Sequence, residues 1–212
     1  MKRIRIIPAA IILLFSTAFT TPFPESSSGL RTGDKAPLST TEMKGTDGQM
    51  YSLEKLNGKK GLIVIFSCNT CPFVVGNETF AGWEIQYNDL YRKAQESGIG
   101  MVLVNSNEAK RDGDDSPEAM LSRAITKQYA MPYLVDAQSA LANAFGAKTT
   151  PHVYFFNEKL ELIYQGAIDN TVDGKRKETV PYLLNAMQNH IQGKAITETS
   201  TPPRGCSIKR VS

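Results

Sequence analysis

Cysteine and histidine are both scarce in this chain. Among its 212 residues there are three cysteines, Cys68, Cys71 and Cys206, and two histidines. Three cysteines cannot form two disulfides, so the chain is not a small fold held together by a disulfide framework. A second C-x-x-C and an H-x-x-x-H motif are also absent. This excludes a four-thiolate zinc site and a zinc finger.

Acidic residues are absent from the first 24 positions. The formal net charge of +3 comes entirely from this segment, because it contains Lys2, Arg3 and Arg5 while the rest of the chain has equal numbers of acids and bases. A chain without the segment is close to neutral. We therefore predict that the protein has no nucleic-acid-binding surface.

The same N-terminal segment has the pattern of an export signal. Its three cations precede an apolar run from Ile6 to Phe19, which is shorter than a membrane-spanning helix requires. The small residues Ser16 and Ala18 permit cleavage nearby. We predict a signal peptide over residues 1–24 and a domain that works in an oxidising compartment outside the cytoplasm. An uncleaved N-terminal anchor is the alternative, and it would be the protein's one contact with a membrane.

The first half of the remaining chain predicts strand–helix–strand organisation. Residues 25–36 are rich in Ser, Gly and Pro and are expected to form a flexible lead-in. Residues 43–53 predict a small hairpin, because Asp-Gly is a turn signal. The continuous apolar runs at 62–66 and 101–104 predict buried parallel strands. Between them lies a helical pattern at 72–96, in which two glycines predict a kink or a break.

The second half predicts further helices and an antiparallel hairpin, followed by a polar tail. Ser116 and Pro117 are typical of a helix start, and the apolar residues of that helix are expected to face inward. The predicted inward set is Met120, Leu121, Ala124 and Ile125. The later elements, in chain order, are a strand at 133–135, a short helix capped by Asp136, a hairpin at 153–164, a helix at 180–191 and a tail at 194–212. The compact domain is predicted to span 37–193.

The C-x-x-C pair is the main chemical feature of the sequence. Cys68 and Cys71 lie between a predicted buried strand and a predicted helix start. Unpaired N–H groups at a helix N-terminus stabilise a thiolate, so we expect Cys68 to be an exposed leading thiol with a lowered pKa. Cys68 would attack a substrate disulfide and Cys71 would resolve the mixed disulfide. A static disulfide is the alternative, although so short a ring would stabilise the chain little.

Several segments together resemble the thioredoxin superfamily, in its peroxiredoxin-like and redoxin branch. The matching segments are FSCNTCPFV at 66–74, VNSN at 104–107, DSPEAM at 115–120, PYLVD at 132–136, TP at 150–151 and GCSIK at 205–209. The resemblance is to a bacterial group, which implies that the exported protein is periplasmic. Relatives in that group more often have His at the position of Thr70 and an acidic residue at the position of His152.

The resemblance implies an α/β thioredoxin fold. Its expected parts are a central mixed β-sheet flanked by helices, an N-terminal β-hairpin extension and a C-terminal tail. In such folds the bond corresponding to Thr150–Pro151 is cis, faces the cysteine pair and lets the preceding backbone pair with an extended substrate strand. Thr150 and Pro151 are therefore predicted to bind substrate. From local sequence alone, a trans proline at the start of a strand fits equally well.

The predicted function is thiol–disulfide exchange on protein disulfides or thiols. No dissociable cofactor and no metal are required, and a redox partner protein would supply electrons. Peroxide reduction by the same cysteines is an alternative, but neither cysteine is preceded by the P-x-x-x-T-x-x-C pattern of peroxiredoxins. A copper-binding chaperone that uses Cys68, Cys71 and His152 is a further alternative.

Two further residues are candidates for auxiliary roles. Cys206 is either a spare surface thiol or a second resolving cysteine, if the tail folds back onto the domain. His152 follows Pro151 and is expected near the cysteines, where it is either an inert strand residue or a proton relay.

Overall fold

The structure, a computed structural model, describes residues 29–211. The nine strands are β1 (Met43–Lys44), β2 (Met50–Tyr51), β3 (Leu62–Ser67), β4 (Gly100–Asn105), β5 (Tyr133–Val135), β6 (Thr149–Thr150), β7 (His152–Phe156), β8 (Leu162–Gly166) and β9 (Cys206–Ser207). The six α-helices are α1 (Leu53–Leu56), α2 (Pro72–Val75), α3 (Tyr87–Glu96), α4 (Pro117–Thr126), α5 (Ala140–Phe145) and α6 (Tyr182–Ile191). The predicted signal peptide lies outside the described residues.

A five-stranded mixed sheet forms the centre of the domain, in the order β5-β4-β3-β7-β8. β3 pairs with β4 in parallel and with β7 antiparallel. Every residue of β3 and β4 is buried, which explains why their apolar runs do not alternate. The prediction of an α/β fold with a central mixed sheet and an N-terminal hairpin, formed by β1 and β2, is confirmed.

The two faces of the sheet carry separate apolar clusters. Ile63 and Ile65 point to the face that also contains the cysteine pair and the apolar sides of α3, α4 and α6. Leu62, Val64 and Phe66 point to the other face, which α1, α5 and the N-terminal hairpin cover. Because successive strand residues point to opposite faces, one strand contributes to both clusters.

The predicted break in the helix after the cysteines is confirmed. α2 ends at Val75 with Gly76 as its C-cap residue, a 3-10 helix spans Trp83–Gln86 and α3 follows directly. Gly76 and Gly82 both have positive φ angles, of 89° and 78°. A Cβ on Gly82 would lie 2.4 Å from the Val74 carbonyl oxygen, so the loop can return to the end of α2 only because glycine stands there.

Two sequence predictions about surfaces are wrong. Residues 30–36, within the lead-in that was predicted to be flexible, are bound to the domain, because Gly33 and Ala36 donate backbone hydrogen bonds to carbonyls at Leu162 and Leu160. Leu121 and Ile125 of α4 are exposed, at 41% and 68%, because only the Met120 side of that helix is fully buried.

None of the helices in residues 29–211 combines the length and the apolar character needed to cross a bilayer.

An ion pair between the buried Glu84 and the partly buried Arg123 joins the 3-10 helix after the cysteines to α4. Arg123 donates two hydrogen bonds of 2.6 Å to the two carboxylate oxygens of Glu84. Tyr129 donates to the same carboxylate. Burial alone would raise the pKa of Glu84, but the hydrogen bonds from Arg123 and Tyr129 hold it below its ordinary value. The pair therefore fixes the position of the segment that follows α2.

We expect Arg123→Met to lower the free energy of unfolding by roughly 3 kcal/mol at pH 7, since it leaves a buried carboxylate without its main cation. A carboxylate with a lowered pKa stabilises the fold above its unfolded pKa and loses that contribution as the pH falls. In the variant Glu84 takes up a proton more readily, so the deficit should shrink towards pH 4. Urea denaturation of variant and wild type at pH 7 and at pH 4 measures this difference in the free energy of unfolding.

The matched control is the double variant Glu84→Gln, Arg123→Met, which removes both charges and should lose less stability than Arg123→Met alone. A single variant as stable as the wild type at pH 7 would show that the ion pair contributes nothing.

Candidate active site

The two cysteines of the C-x-x-C pair lie where the central strand ends. Cys68 directly follows β3, and Cys71 is the N-cap residue of α2, with Pro72 at the first helical position. Both side chains are buried, with exposed fractions of 2% and 3%. The prediction that Cys68 is an exposed leading thiol is therefore wrong. α2 begins after Cys71, so Cys71 and not Cys68 stands at the helix start.

Thr150 contacts both sulfurs. Its hydroxyl oxygen lies 3.1 Å from the Sγ of Cys68, and its carbonyl oxygen lies 3.0 Å from the Sγ of Cys71, which donates to it when protonated. The Thr150–Pro151 peptide bond is cis. The expectation that this bond is cis and faces the cysteine pair is confirmed, although the two residues are about 80 positions away along the chain.

The two thiols do not ionise alike. The hydrogen bond that the Cys68 thiol donates to Cys71 raises the pKa of Cys68, and burial raises it further. The same hydrogen bond lowers the pKa of Cys71 against the opposing effects of burial and of the Cys206 side chain, and the Cys206 backbone N–H contributes to the lowering. The lowered pKa predicted for Cys68 thus belongs to Cys71.

A buried polar network holds the loop between the cysteines. The Asn69 backbone N–H donates to the Asp115 carboxylate at 2.8 Å, and Tyr133 donates to the Asn69 side-chain oxygen at 3.1 Å. Asn105 and Asn107 donate to the two Asp115 oxygens at 2.7 and 2.9 Å. Three N–H donors therefore satisfy a carboxylate that is fully buried, which is what makes its burial tolerable.

Asp115 is a site residue that sequence reasoning missed. It ends a polar acidic run that resembles a weak calcium loop, and nothing local distinguishes it from its acidic neighbours. The Cys71 side chain and burial are the main causes of the raised pKa of Cys68, and the negative charge of Asp115 adds to them. Asp115 directly precedes Ser116, which caps α4, and belongs to the DSPEAM segment on which the family resemblance rests.

His152 points away from the cysteine pair. It pairs with Phe66 across the sheet and packs on Tyr154, with ring centroids 4.5 Å apart. Phe66 and Tyr154 belong to the apolar cluster on the sheet face opposite the cysteines. Burial lowers the pKa of His152 to about 4. The expected position of His152 beside the cysteines is therefore wrong, and it cannot complete a copper site with them.

The C-terminal tail folds back onto the site. β9 pairs antiparallel with β6, which places Cys206 opposite Thr150. The Cys206 backbone N–H lies 3.3 Å from the Sγ of Cys71. All three cysteines of the chain thus lie around Thr150, and all three are free thiols. Within residues 29–211, no group of three or more His, Cys, Asp and Glu side chains could hold a metal ion.

Comparison with protein families identifies the chain. The Redoxin family model matches residues 31–183, which include the whole central sheet and both cysteines of the pair. The chain belongs to the Redoxin family. The family and the paired thiols make this redoxin a thiol-based oxidoreductase.

Solved structures similar to this redoxin share its fold. An uncharacterized conserved protein from Geobacillus kaustophilus is 29% identical, with a TM-score of 0.76 over 85% of this chain and 93% of its own. A hypothetical protein from Sinorhizobium meliloti 1021 is 26% identical, with a TM-score of 0.73 over 87% and 97%. A peroxidoxin from Mycobacterium tuberculosis is 15% identical, with a TM-score of 0.50 over 77% of this chain and 93% of its own. This similarity supports a shared thioredoxin fold and nothing further. No curated protein sequence matches this redoxin.

We expect Cys71 to titrate below the ordinary thiol pKa of about 8.5, and Cys68 to stay protonated well above it. The Cβ resonances of ¹³C-labelled cysteine, followed by NMR against pH, report ionisation even in buried thiols. In a Cys68→Ala variant the donor to Cys71 is lost, so the titration of Cys71 should move to higher pH. Titration of Cys68 before Cys71 would contradict this order.

Proposed function

We propose that this redoxin carries out thiol–disulfide exchange with protein substrates through Cys68 and Cys71. The observation that carries the proposal is the placement of both sulfurs against Thr150, which belongs to the short edge strand β6. An extended peptide can pair with such an edge by main-chain hydrogen bonds, without a specific side-chain sequence. This suits an enzyme that acts on disulfides in other proteins.

In the proposed reaction Cys71 is the attacking sulfur. It has the lowered pKa, stands at the start of α2 and accepts the hydrogen bond of the Cys68 thiol. The Cys71 thiolate attacks one sulfur of a substrate disulfide, forming a mixed disulfide and releasing the other sulfur as a thiol. Cys68 then loses its proton and attacks the Cys71 sulfur. The second substrate thiol leaves, and the enzyme holds the Cys68–Cys71 disulfide.

The two electrons gained by the substrate come from the cysteine pair, so a redox partner protein must reduce the pair again. The same steps run in reverse oxidise a substrate dithiol, and the same bonds then form and break in the opposite order. The negative charge of Asp115 opposes ionisation of Cys68. Together with burial and the contact with Cys71, this favours a protonated Cys68 until a mixed disulfide forms on Cys71.

The surface beside α2 suits a polypeptide. An open cleft of about 400 Å³ lies next to Pro72, and its lining includes the apolar side chains of Phe73, Phe80 and Val172 and the cation of Arg176. A second cleft of about 360 Å³, with a polar lining, adjoins Asn69 and Thr70 on the other side. Substrate side chains on either side of a half-cystine could occupy both.

The exchange reaction is tested with a disulfide-bonded peptide in two variants that share the Cys206→Ser background. The Cys68→Ser form keeps Cys71 and should accumulate a mixed disulfide with the peptide, because nothing resolves it. The Cys71→Ser form should accumulate none, and both should lose turnover. Mass spectrometry of the trapped species measures this.

A mixed disulfide that forms only through Cys68 would reverse the assigned roles. Sulfenate formation with peroxide that outpaces exchange with the peptide would instead favour a thiol peroxidase.

We further propose that the protein is exported to the bacterial periplasm, on the strength of the cationic and apolar pattern in residues 1–24. When the full chain is expressed in a bacterial host, we expect N-terminal sequencing of the periplasmic fraction to find a start near residue 25. Recovery of the intact N-terminus in the membrane fraction would support an anchor instead. Recovery in the cytoplasm would contradict export.

A further inference from the structure

The C-terminal segment is attached to the domain along its whole return path. Residues 199–201 hydrogen-bond with Gln165 of β8 through two backbone contacts of 3.0 Å. Ile208 is 5% exposed and packs in the apolar cluster opposite the cysteines, while its N–H donates to the Lys148 carbonyl at 2.9 Å. The Lys209 N–H donates to the Asn107 side chain at 2.8 Å. The segment is thus held on both sides of Cys206.

Between these attachments, the chain crosses the active site as a strand. β9 occupies the edge of β6, with Cys206 in register with Thr150 and Ser207 with Thr149. This is the edge beside the cis bond where an extended substrate strand would pair. The Cys206 N–H reaches the Cys71 sulfur, and Cys71 is only 3% exposed. The enzyme's own tail therefore lies in the substrate's place.

Gly205 is the residue that permits this approach. A Cβ at this position would lie 2.2 Å from the carbonyl oxygen of Thr150 and 3.1 Å from the nitrogen of Pro151. Both neighbours are backbone atoms that cannot move aside as a flexible side chain could. The tail can reach the site closely only because glycine precedes Cys206.

We propose that residues 205–208 act as an internal substrate strand, in which Cys206 takes the place of the substrate sulfur and forms a disulfide with Cys71. The inference rests on the proposed thiol–disulfide exchange and adds a third redox thiol and a second disulfide pairing of the oxidised enzyme to it. It also makes the docked tail a competitor of external substrates, since both need the edge of Thr149–Thr150.

The step is an internal disulfide exchange. It begins from the Cys68–Cys71 disulfide left by a turnover. The Cys206 thiol loses its proton and attacks the Cys71 sulfur, so the Cys71–Cys206 bond forms and the Cys68–Cys71 bond breaks. Cys68 leaves as a thiolate and takes up a proton, and no net oxidation occurs. The Thr150 hydroxyl, 3.1 Å from Cys68, can donate to the leaving sulfur.

Disulfide mapping tests the proposal directly. Trypsin cuts after Lys60, Arg92, Arg204 and Lys209, so the paired cysteines and Cys206 fall in different peptides. After oxidation in a glutathione redox buffer, we expect wild-type protein to contain a linked 61–92 and 205–209 peptide besides the Cys68–Cys71 species. Cys68→Ser should form the link in full, and Cys71→Ser should not form it.

The glycine provides a variant that keeps every sulfur. Gly205→Ala should lower the yield of the Cys71–Cys206 link at least about tenfold, because the effective concentration of Cys206 at Cys71 falls when the strand cannot dock. It should also speed exchange with an external disulfide peptide. Gly113→Ala is the matched control, since its added Cβ has only one neighbour, at 3.9 Å, and it should behave as wild type.

Failure of this inference can be told from failure of the proposed function. If the Cys68–Cys71 disulfide forms and the peptide is turned over, but Cys206 stays free in wild type and Cys68→Ser, the internal-substrate proposal is wrong while exchange stands. A link that forms equally in Gly205→Ala and wild type would also overturn it. If no variant exchanges with the peptide at all, the proposed function itself fails.

Discussion

The contacts of Thr150 are the constraint on which the active site depends. One buried residue places its hydroxyl oxygen against Cys68 and its carbonyl oxygen against Cys71, and its backbone pairs with the strand that contains Cys206. Three thiols that are spread over 139 positions of the chain therefore share one small space. Their chemistry is that of a coupled group, and no single thiol can be understood alone.

The surrounding structure keeps that space rigid. The loop between the paired cysteines is held by the Asn69 backbone, which donates to Asp115, and Asp115 is satisfied by two further amide donors. The segment after α2 is fixed by the ion pair of Glu84 and Arg123. Because each buried charge has its partners, the network costs little stability and leaves the sulfurs few alternative positions. A rigid site of this kind sets which sulfur ionises first.

Burial of both sulfurs creates a conflict between protection and reactivity. A thiol with an exposed fraction of 2% or 3% resists adventitious oxidation, but it cannot reach a disulfide in another protein until the residues that cover it move away. The tail strand is the element that lies over Cys71, and it is joined to the site through backbone hydrogen bonds. Such a cover can be exchanged for another strand with similar hydrogen bonds, so protection need not prevent substrate binding.

The sequence by itself determined the architecture and the position of the redox pair. Continuous apolar runs identified the buried strands, Gly76 and Gly82 the helix break and Ser116 the start of α4, because each signal acts within a few residues. The tertiary structure alone decided which cysteine ionises, the part played by Asp115, the direction of His152 and the docking of the tail. Those properties depend on contacts between residues 46 to 135 positions apart, as from Asn69 to Asp115 and from Cys71 to Cys206. The local sequence pattern does not indicate which distant donor will contact a buried sulfur, because only folding brings the two together.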